Sequence, residues 1–496
     1  MHSAALCVDM GGVGMDQHSQ SDELDQLDQL GVIILAAGLG KRMRSAQAKV
    51  LHQLAGQPLL SHVIHATQRL HPDRPNRIVV IVGHQADAVQ QVCGGEGISF
   101  ALQREQRGTG DAVLAASPSF AQWQGDVLIV CGDTPLLTAT TLAQFIQQHR
   151  SRQTTLSVLT VQMPDPAQYG RVIRTEDGQV SKIVEARDAS EDELAVNEIN
   201  SGIFCVRADF LFSALERLQP NNAQGEYYLT DIVAQAVGDG LPTQAVCIDD
   251  ADEVGGINSR EDLAMMEKAK QDQLRKKWMA EGVTLEDPDT VYLDEDVTIG
   301  QDTVIGPNTH LKGHTTIGAR CRIDGSAYIE NCQIGDDVSI LFSVVLSDSE
   351  LGNKSSAGPF SHLRGQAVLA PRAEVGNFVE VKKSVIGEHT KAKHLSYIGD
   401  ADIGKDANIG AGTITCNYDG FRKHRTTIGD RVQVGSDTTL VAPITIHDDV
   451  YIATATTVRH DVPAGALVFN TRQEQTREGW TAAKRTKEAE KKGTGD

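Results

Sequence analysis

The chain has 496 residues and a formal net charge of −20, too long for one hydrophobic core and too acidic for bulk nucleic-acid binding, which needs cations to neutralise phosphates. No apolar run reaches the ~18 residues of a membrane span. The eight cysteines show no CxxC or metal-ligand spacing, which reads as reduced thiols in a cytoplasmic protein. Residues 1–29 are rich in Gln, Asp and Ser, without a basic and apolar leader, and read as a disordered extension.

From Gly31 strands and helices alternate. Strands are expected at Val32 to Leu35, Ile78 to Val82, Ile98 to Leu102 and Val127 to Val130. A helix from Pro58 to Leu70 puts Leu59, Leu60, Val63, Ile64 and Leu70 on one face. Such βαβ alternation implies a largely parallel sheet whose ligand lies beyond the carboxyl ends of the strands. The motifs fall at those ends. Leu35-Ala36-Ala37-Gly38-Leu39-Gly40-Lys41-Arg42-Met43 follows the first strand, with Lys49 soon after. Its glycines and alanines let backbone approach a phosphate, while Arg42 and Lys49 bring positive charge. It lacks the third glycine of a dinucleotide fingerprint.

Gln103 and Gly108-Thr109-Gly110 follow a later strand, and Cys131-Gly132-Asp133-Thr134-Pro135 ends the next. Asp133 is placed either to ligate Mg²⁺ at a nucleotide's phosphates or to shape a Gly-Asp turn before proline. Tyr169-Gly170-Arg171 opens a hairpin returning at Lys182 to Glu185, and Glu198 to Gly202 starts another strand. This insertion could wall a sugar pocket, with Glu185 and Asn200 on hydroxyls and amide. Ser259 with Asp262 is a capping-box start for a helix running to about Glu281. Asn258 just before it is either a turn residue or a neutral oxygen ligand completing a metal site with Asp133.

A different pattern runs from Ile299 to Val458. An aliphatic residue returns every sixth position through Ile299, Ile305, Leu311, Ile317, Ile323 and Ile329, resumes after one five-residue step through Leu351, Leu363, Leu369, Val375 and Val381, and again from Ile428 to Val458. That period fits neither helix nor lone strand and marks a stacked repeat, a parallel β-helix of triangular coils. Its flat faces make a homotrimer the default. Residues about 18 apart stack, so Arg364 and Lys382 should lie one above the other, where a sugar phosphate could dock. Histidine's ordinary pKa of ~6.5 suits a general base, and His394 stands near these cations and Tyr397. The beat breaks between Ile414 and Ile428, where Asn417 to Arg425 must leave the coil as a loop. Arg422, Lys423, His424 and Arg425 there suggest an anionic ligand.

Together these residues resemble the bacterial bifunctional N-acetylglucosamine-1-phosphate uridylyltransferase/glucosamine-1-phosphate N-acetyltransferase family, from about Val32 to Trp480. The resemblance implies an α/β Rossmann-like nucleotidyltransferase domain at 30–256, a linker helix at 257–282, a left-handed hexapeptide β-helix at 283–471 and a tail at 472–496. It implies acetyl-CoA-dependent acetylation of glucosamine 1-phosphate, then Mg²⁺-dependent transfer from UTP to N-acetylglucosamine 1-phosphate, supplying peptidoglycan, lipopolysaccharide and other envelope precursors.

Carried over by position, Leu35, Ala36, Ala37, Gly38, Lys49, Gln103, Gly108 and Thr109 would hold the uridine nucleotide. Gly170, Glu185 and Asn200 would hold the amino sugar, and Asp133 with Asn258 the metal. Arg364, Lys382, Tyr397, Asn408 and Lys423 would hold the glucosamine phosphate, with His394 as base. Ala411, Asn417, Tyr418, Ser436, Thr454 and Arg472 would line the acetyl-CoA site. The sequence departs from the family's pattern at Ala48, where proline is usual, at Cys131, at Thr454-Ala455 and at Arg472, which comes one position late.

Overall fold

The structure, a computed structural model, describes residues 30–70, 77–471 and 474–493. The expected N-terminal extension and Arg472 lie outside them. Among the described residues no helix is long and apolar enough to cross a membrane. The chain divides into two compact units between Leu274 and Arg275.

The first unit is a nine-stranded sheet. Its strands are β1 (Leu30–Leu35), β2 (Arg77–Val82), β3 (Ile98–Leu102), β4 (Asp126–Cys131), β5 (Leu156–Gln162), β6 (Arg171–Arg174), β7 (Val180–Val184), β8 (Glu198–Arg207) and β9 (Thr243–Ile248). The main order is β9-β5-β8-β4-β1-β2-β3, with the β6–β7 hairpin attached through β8. Strands β1 to β4 pair in parallel. Strand β8 is antiparallel to both β4 and β5, so the sheet is more mixed than the strand-helix alternation suggests. Ahead of β8 the sequence places the hairpin and a single helical turn, Glu191–Leu194, too short for a crossover.

Both sheet faces are covered. Val32, Ile34, Val80, Leu128 and Val130 enter one core, and Ile33, Val79, Ile81 and Ile129 the other, which is why these strands read as unbroken apolar runs. The helix Leu59–Gln68 buries Leu59, Leu60, Val63 and Ile64 as its spacing requires. The helix Arg260–Ala280 opens with the expected box: Ser259 Oγ accepts from Asp262 N at 3.1 Å, and Asp262 Oδ2 accepts from Ser259 N at 2.8 Å.

The second unit is a left-handed parallel β-helix with three parallel sheets of 11, 10 and 9 strands, one strand of each per coil. We call them the first, second and third faces. The inward residue of nearly every short strand is the aliphatic of the hexad, as in the stack Ile299, Ile317, Ile334, Leu351 on the third face. Each buried Val, Leu or Ile contributes about 1.5–3 kcal/mol, and none could do so without the coil above and below. Coils therefore advance by 17 or 18 residues.

The single five-residue step expected from sequence is one of four. Ile329 to Ile334, Leu346 to Leu351, Val381 to Ile386 and Ile398 to Ile403 all pass from the second face to the third. Corners turn through left-handed residues, many of them Asp or Asn, such as Asp302, Asn308, Asp337 and Asp437, the side chains that tolerate that backbone best. At the loop one coil lengthens to 25 residues. There Thr415, not Ile414, points inward, its Oγ1 donating to Gly399 O at 3.0 Å.

Candidate active sites

At the carboxyl ends of β1, β3 and β4 lies a cavity of about 270 Å³. Leu35, Ala36, Ala37, Gly38, Lys49, Gln103, Gly108, Thr109 and Asp133 all line it. Gln103 is buried and held by its amide, which donates to Gly108 O at 3.1 Å and Asp111 Oδ2 at 2.9 Å. Gly108 has φ +118, and a Cβ there would lie 2.5 Å from Tyr227 O, so only glycine lets these two segments meet.

Across the cavity Lys49 bridges two acceptors: its ammonium pairs with the Asp133 carboxylate and donates to Asn258 Oδ1 at 3.0 Å. Asn258 is oriented because its Nδ2 donates to Gly256 O at 3.2 Å. Ile257 N donates to Asp133 O at 3.0 Å, tying the two ligand candidates together. Asp133 and Asn258 thus converge hard oxygens on one cation, the donor set that fits Mg²⁺. Ala48, in place of the family's proline, keeps an N–H that donates to Gln85 Oε1 at 2.7 Å. Cys131 also lines the cavity, and burial pushes its thiol up to about 12, so it is an inert wall rather than a nucleophile.

Arg42 does not line this cavity. It sits on the turn Lys41–Met43 and faces a neighbouring cleft with Glu185. Burial raises the Glu185 carboxyl above its ordinary range, although Thr230 Oγ1 donates to it at 3.1 Å. Gly170 and Asn200 adjoin: Asn200 N donates to Gly170 O at 2.9 Å, and Asn200 Oδ1 accepts from Gly202 N at 3.0 Å.

In the β-helix, Arg364 is in register with Lys382, and Lys382 with Gly399. Arg364 is paired to Glu380 at 2.6 Å. The neighbouring Lys423 lowers the Lys382 pKa, with burial and Arg364 adding to the effect. Three cations therefore crowd one patch. The other loop cations are partly spent: Arg425 pairs with Asp402, and His424 with Asp419 at 2.6 Å. Backbone N–H of Arg422, then His424 and Phe421 N–H, bring Asp419 down to about 2.

Register builds a second column at the end of the first face. Asn377 pairs with His394, and Ala392, Ile409, Val434 and Ile452 are successive partners. Two residues further along each strand stand His394, Ala411, Ser436 and Thr454. The exposed His394 thus heads a ladder of small side chains, its coils ~4.8 Å apart. Tyr397 is on the second face, with its hydroxyl 3.4 Å from Asn417 Nδ2. Tyr418, on the loop, donates to Gly420 O at 2.6 Å. Asn408 registers with Lys391 on the first face, away from Arg364 and Lys382.

Sequence reading placed Asn377 in the same stretch as Lys382 but gave it no role, although it stands 17 residues before His394 and pairs with it. It gave Asp400 none, since that residue sits at a corner between two short strands and belongs to no motif.

Fold and geometry define a nucleotidyltransferase unit joined to a hexapeptide β-helix with its own polar site. The MobA-like NTP transferase domain matches residues 32–226, and the GMPPB C-terminal domain matches 288–370. The bifunctional protein GlmU of Pelobacter propionicus is 48% identical over 455 residues, covering 92% of this chain and 98% of that protein. GlmU of Trichlorobacter lovleyi is 46% identical, covering 91% and 98%, and GlmU of Geotalea uraniireducens 45%, covering 92% and 100%. The chain belongs to the family of bifunctional GlmU proteins.

Proposed function

We propose that the two reactions of this bifunctional enzyme of UDP-N-acetylglucosamine synthesis are divided between its two units. The β-helix transfers acetyl from acetyl-CoA to the amine of glucosamine 1-phosphate. The first unit then joins N-acetylglucosamine 1-phosphate to UTP and releases pyrophosphate.

In the first unit the sugar phosphate is already a nucleophile, so catalysis is positioning and charge neutralisation. Leu35 to Gly38, Gln103, Gly108 and Thr109 hold the uridine nucleotide. Lys49 meets its phosphates, and Arg42 assists from the adjoining cleft where Gly170, Glu185 and Asn200 hold the amino sugar. Asp133 and Asn258 would hold Mg²⁺, which would supply charge neutralisation at the phosphates.

In the second unit Arg364, Lys382 and Lys423 hold the sugar phosphate beside Tyr397. The sugar's ammonium group first loses a proton to solvent; as the free amine attacks the thioester carbonyl, His394 takes the second N–H proton, the C–S bond breaks, and the departing CoA thiolate takes that proton from His394. The ladder Ala411, Ser436, Thr454, with Asn417 and Tyr418, receives the extended coenzyme arm, with Arg472 near its tail. What supports this reading is the register, which stacks Ile409 on Ala392 two residues before Ala411 and His394 on the first face, and Lys382 on Arg364 on the second.

Asn408 joins the sugar site from another copy of the chain, as a homotrimer would allow. Phe342, Phe360, Phe378 and Leu395, 46–65% exposed along one corner, supply apolar surface for such packing. The enzyme would work in the cytoplasm, where its substrates and reduced thiols belong, and feed synthesis of the cell envelope. The test is to assay purified protein with each substrate pair. Thiol release from acetyl-CoA with glucosamine 1-phosphate, and pyrophosphate release from UTP with N-acetylglucosamine 1-phosphate and Mg²⁺, are expected. Absence of thiol release would confine activity to the first unit.

A further inference from the structure

Asp400 belongs to no motif, yet it touches both ends of the basic loop. Its carboxylate Oδ2 accepts from Asn417 Nδ2 at 2.5 Å, where the loop leaves the coil. Its backbone carbonyl accepts from Thr426 N at 3.1 Å, where the loop returns. Asn417 is buried to 7% exposure, so its amide cannot turn to water for another acceptor. The same Nδ2 lies 3.4 Å from the Tyr397 hydroxyl. The neighbourhood is cleared for this contact by Gly399, where a Cβ would lie 2.5 Å from the Tyr397 hydroxyl and 2.7 Å from Asn417 Nδ2. Asp400 itself has φ +49, the left-handed corner that Asp and Asn accept.

We propose that Asp400 is a positioning residue for acetyl transfer, its carboxylate fixing the Asn417 carboxamide, and with it the loop, in the orientation that receives acetyl-CoA. This rests on the reading of the second unit as the acetyltransferase. With Nδ2 committed to Asp400, Asn417 Oδ1 is the atom left to face a ligand donor, and the amides of a pantetheine arm are such donors. Asp400 meets neither the reacting amine nor the thioester. It acts through Asn417, so it governs affinity for the coenzyme more than the rate of the bound complex.

The test is steady-state kinetics of thiol release by the full-length protein. Asp400→Gly removes the carboxylate without straining the positive φ, Asp400→Asn keeps an acceptor oxygen, and Asn417→Ala removes the group positioned. Asp400→Gly should raise KM for acetyl-CoA about tenfold, the effect of one hydrogen bond to a charged group, with kcat within a few fold of wild type. Asp400→Asn should recover most of that loss. Combined with Asn417→Ala, Asp400→Gly should add nothing further, because the two act as a unit.

Wild-type KM in Asp400→Gly, an Asp400→Asn defect as large as that of Asp400→Gly, or a full additive effect in the double variant would each overturn the proposal. Should Asp400→Gly fail to fold, the Asn variant alone and in the Asn417→Ala background decides the same point. A wild-type protein that releases no thiol would instead overturn the acetyltransferase reading, and the inference with it.

Discussion

The two units build their sites by opposite means. In the first, Lys49, Asp133 and Asn258 meet although Lys49 lies 84 and 209 residues from its partners. Only the order of strands in the sheet brings them together, at carboxyl ends where turns converge. In the second, Arg364 over Lys382 and Asn377 over His394 meet because one coil lies on the next. A sheet site depends on topology, whereas a solenoid site depends on counting. The first tolerates changes in loop length between its strands; the second keeps register through coils of 17, 18 and 25 residues because the variation falls between strands, and an extra residue inside a strand would turn its side chains to the other face.

Variants can break that division. The largest effects should come from the chemistry itself. His394→Ala should cut thiol release by about 10²–10⁴-fold, the usual worth of a general base, and leave pyrophosphate release near wild type. Asp133→Ala should do the converse, with pyrophosphate release lost and Mn²⁺ affinity, read by electron paramagnetic resonance, sharply reduced.

A coil can be tested through its packing. Leu440 is fully buried in the prism, and Leu440→Ala should cost about 2–5 kcal/mol in chemical denaturation. That loss should fall on the transition of the second unit and leave uridylyl transfer in place.

A subtler effect concerns Glu185. Burial raises its carboxyl above the ordinary range, so protonation begins at a higher pH than for an exposed glutamate. As pH falls through that raised value the carboxylate is lost as a hydrogen-bond acceptor for the sugar. KM for N-acetylglucosamine 1-phosphate should therefore rise on the acid side, and in Glu185→Gln this dependence should flatten. The smallest effect is expected at Phe421, 92% exposed, where Phe421→Ala should change stability by less than about 0.5 kcal/mol.

How much of this could be read from sequence follows the same contrast. The β-helix was legible almost residue by residue, since each inward aliphatic repeats and Arg364 and Lys382 stand one coil apart. One five-residue step was legible; what escaped was its recurrence at the corner between the second and third faces, where small polar residues such as Ser349 and Ser384 permit a tighter turn but announce no period. In the first unit β1 to β4 and the motifs at their ends were legible from apolar runs. The antiparallel course of β8 was not, because strand direction is set by the connection and not by strand composition.

Single side chains were the least legible. Arg42 and Lys49 look equivalent as cations near a glycine-rich turn, yet they face different clefts. The four basic residues of the loop look like one anion site, yet His424 and Arg425 are already engaged by Asp419 and Asp402. Charge along a sequence does not say which partner a fold supplies.

The most direct test of two independent sites is one assay of His394→Ala with both products followed. With glucosamine 1-phosphate, acetyl-CoA, UTP and Mg²⁺ present, neither thiol nor pyrophosphate should appear. Adding N-acetylglucosamine 1-phosphate should restore pyrophosphate release to the wild-type rate while thiol release stays absent. Folded protein that fails to release pyrophosphate even then would contradict the division of the two reactions between the two units.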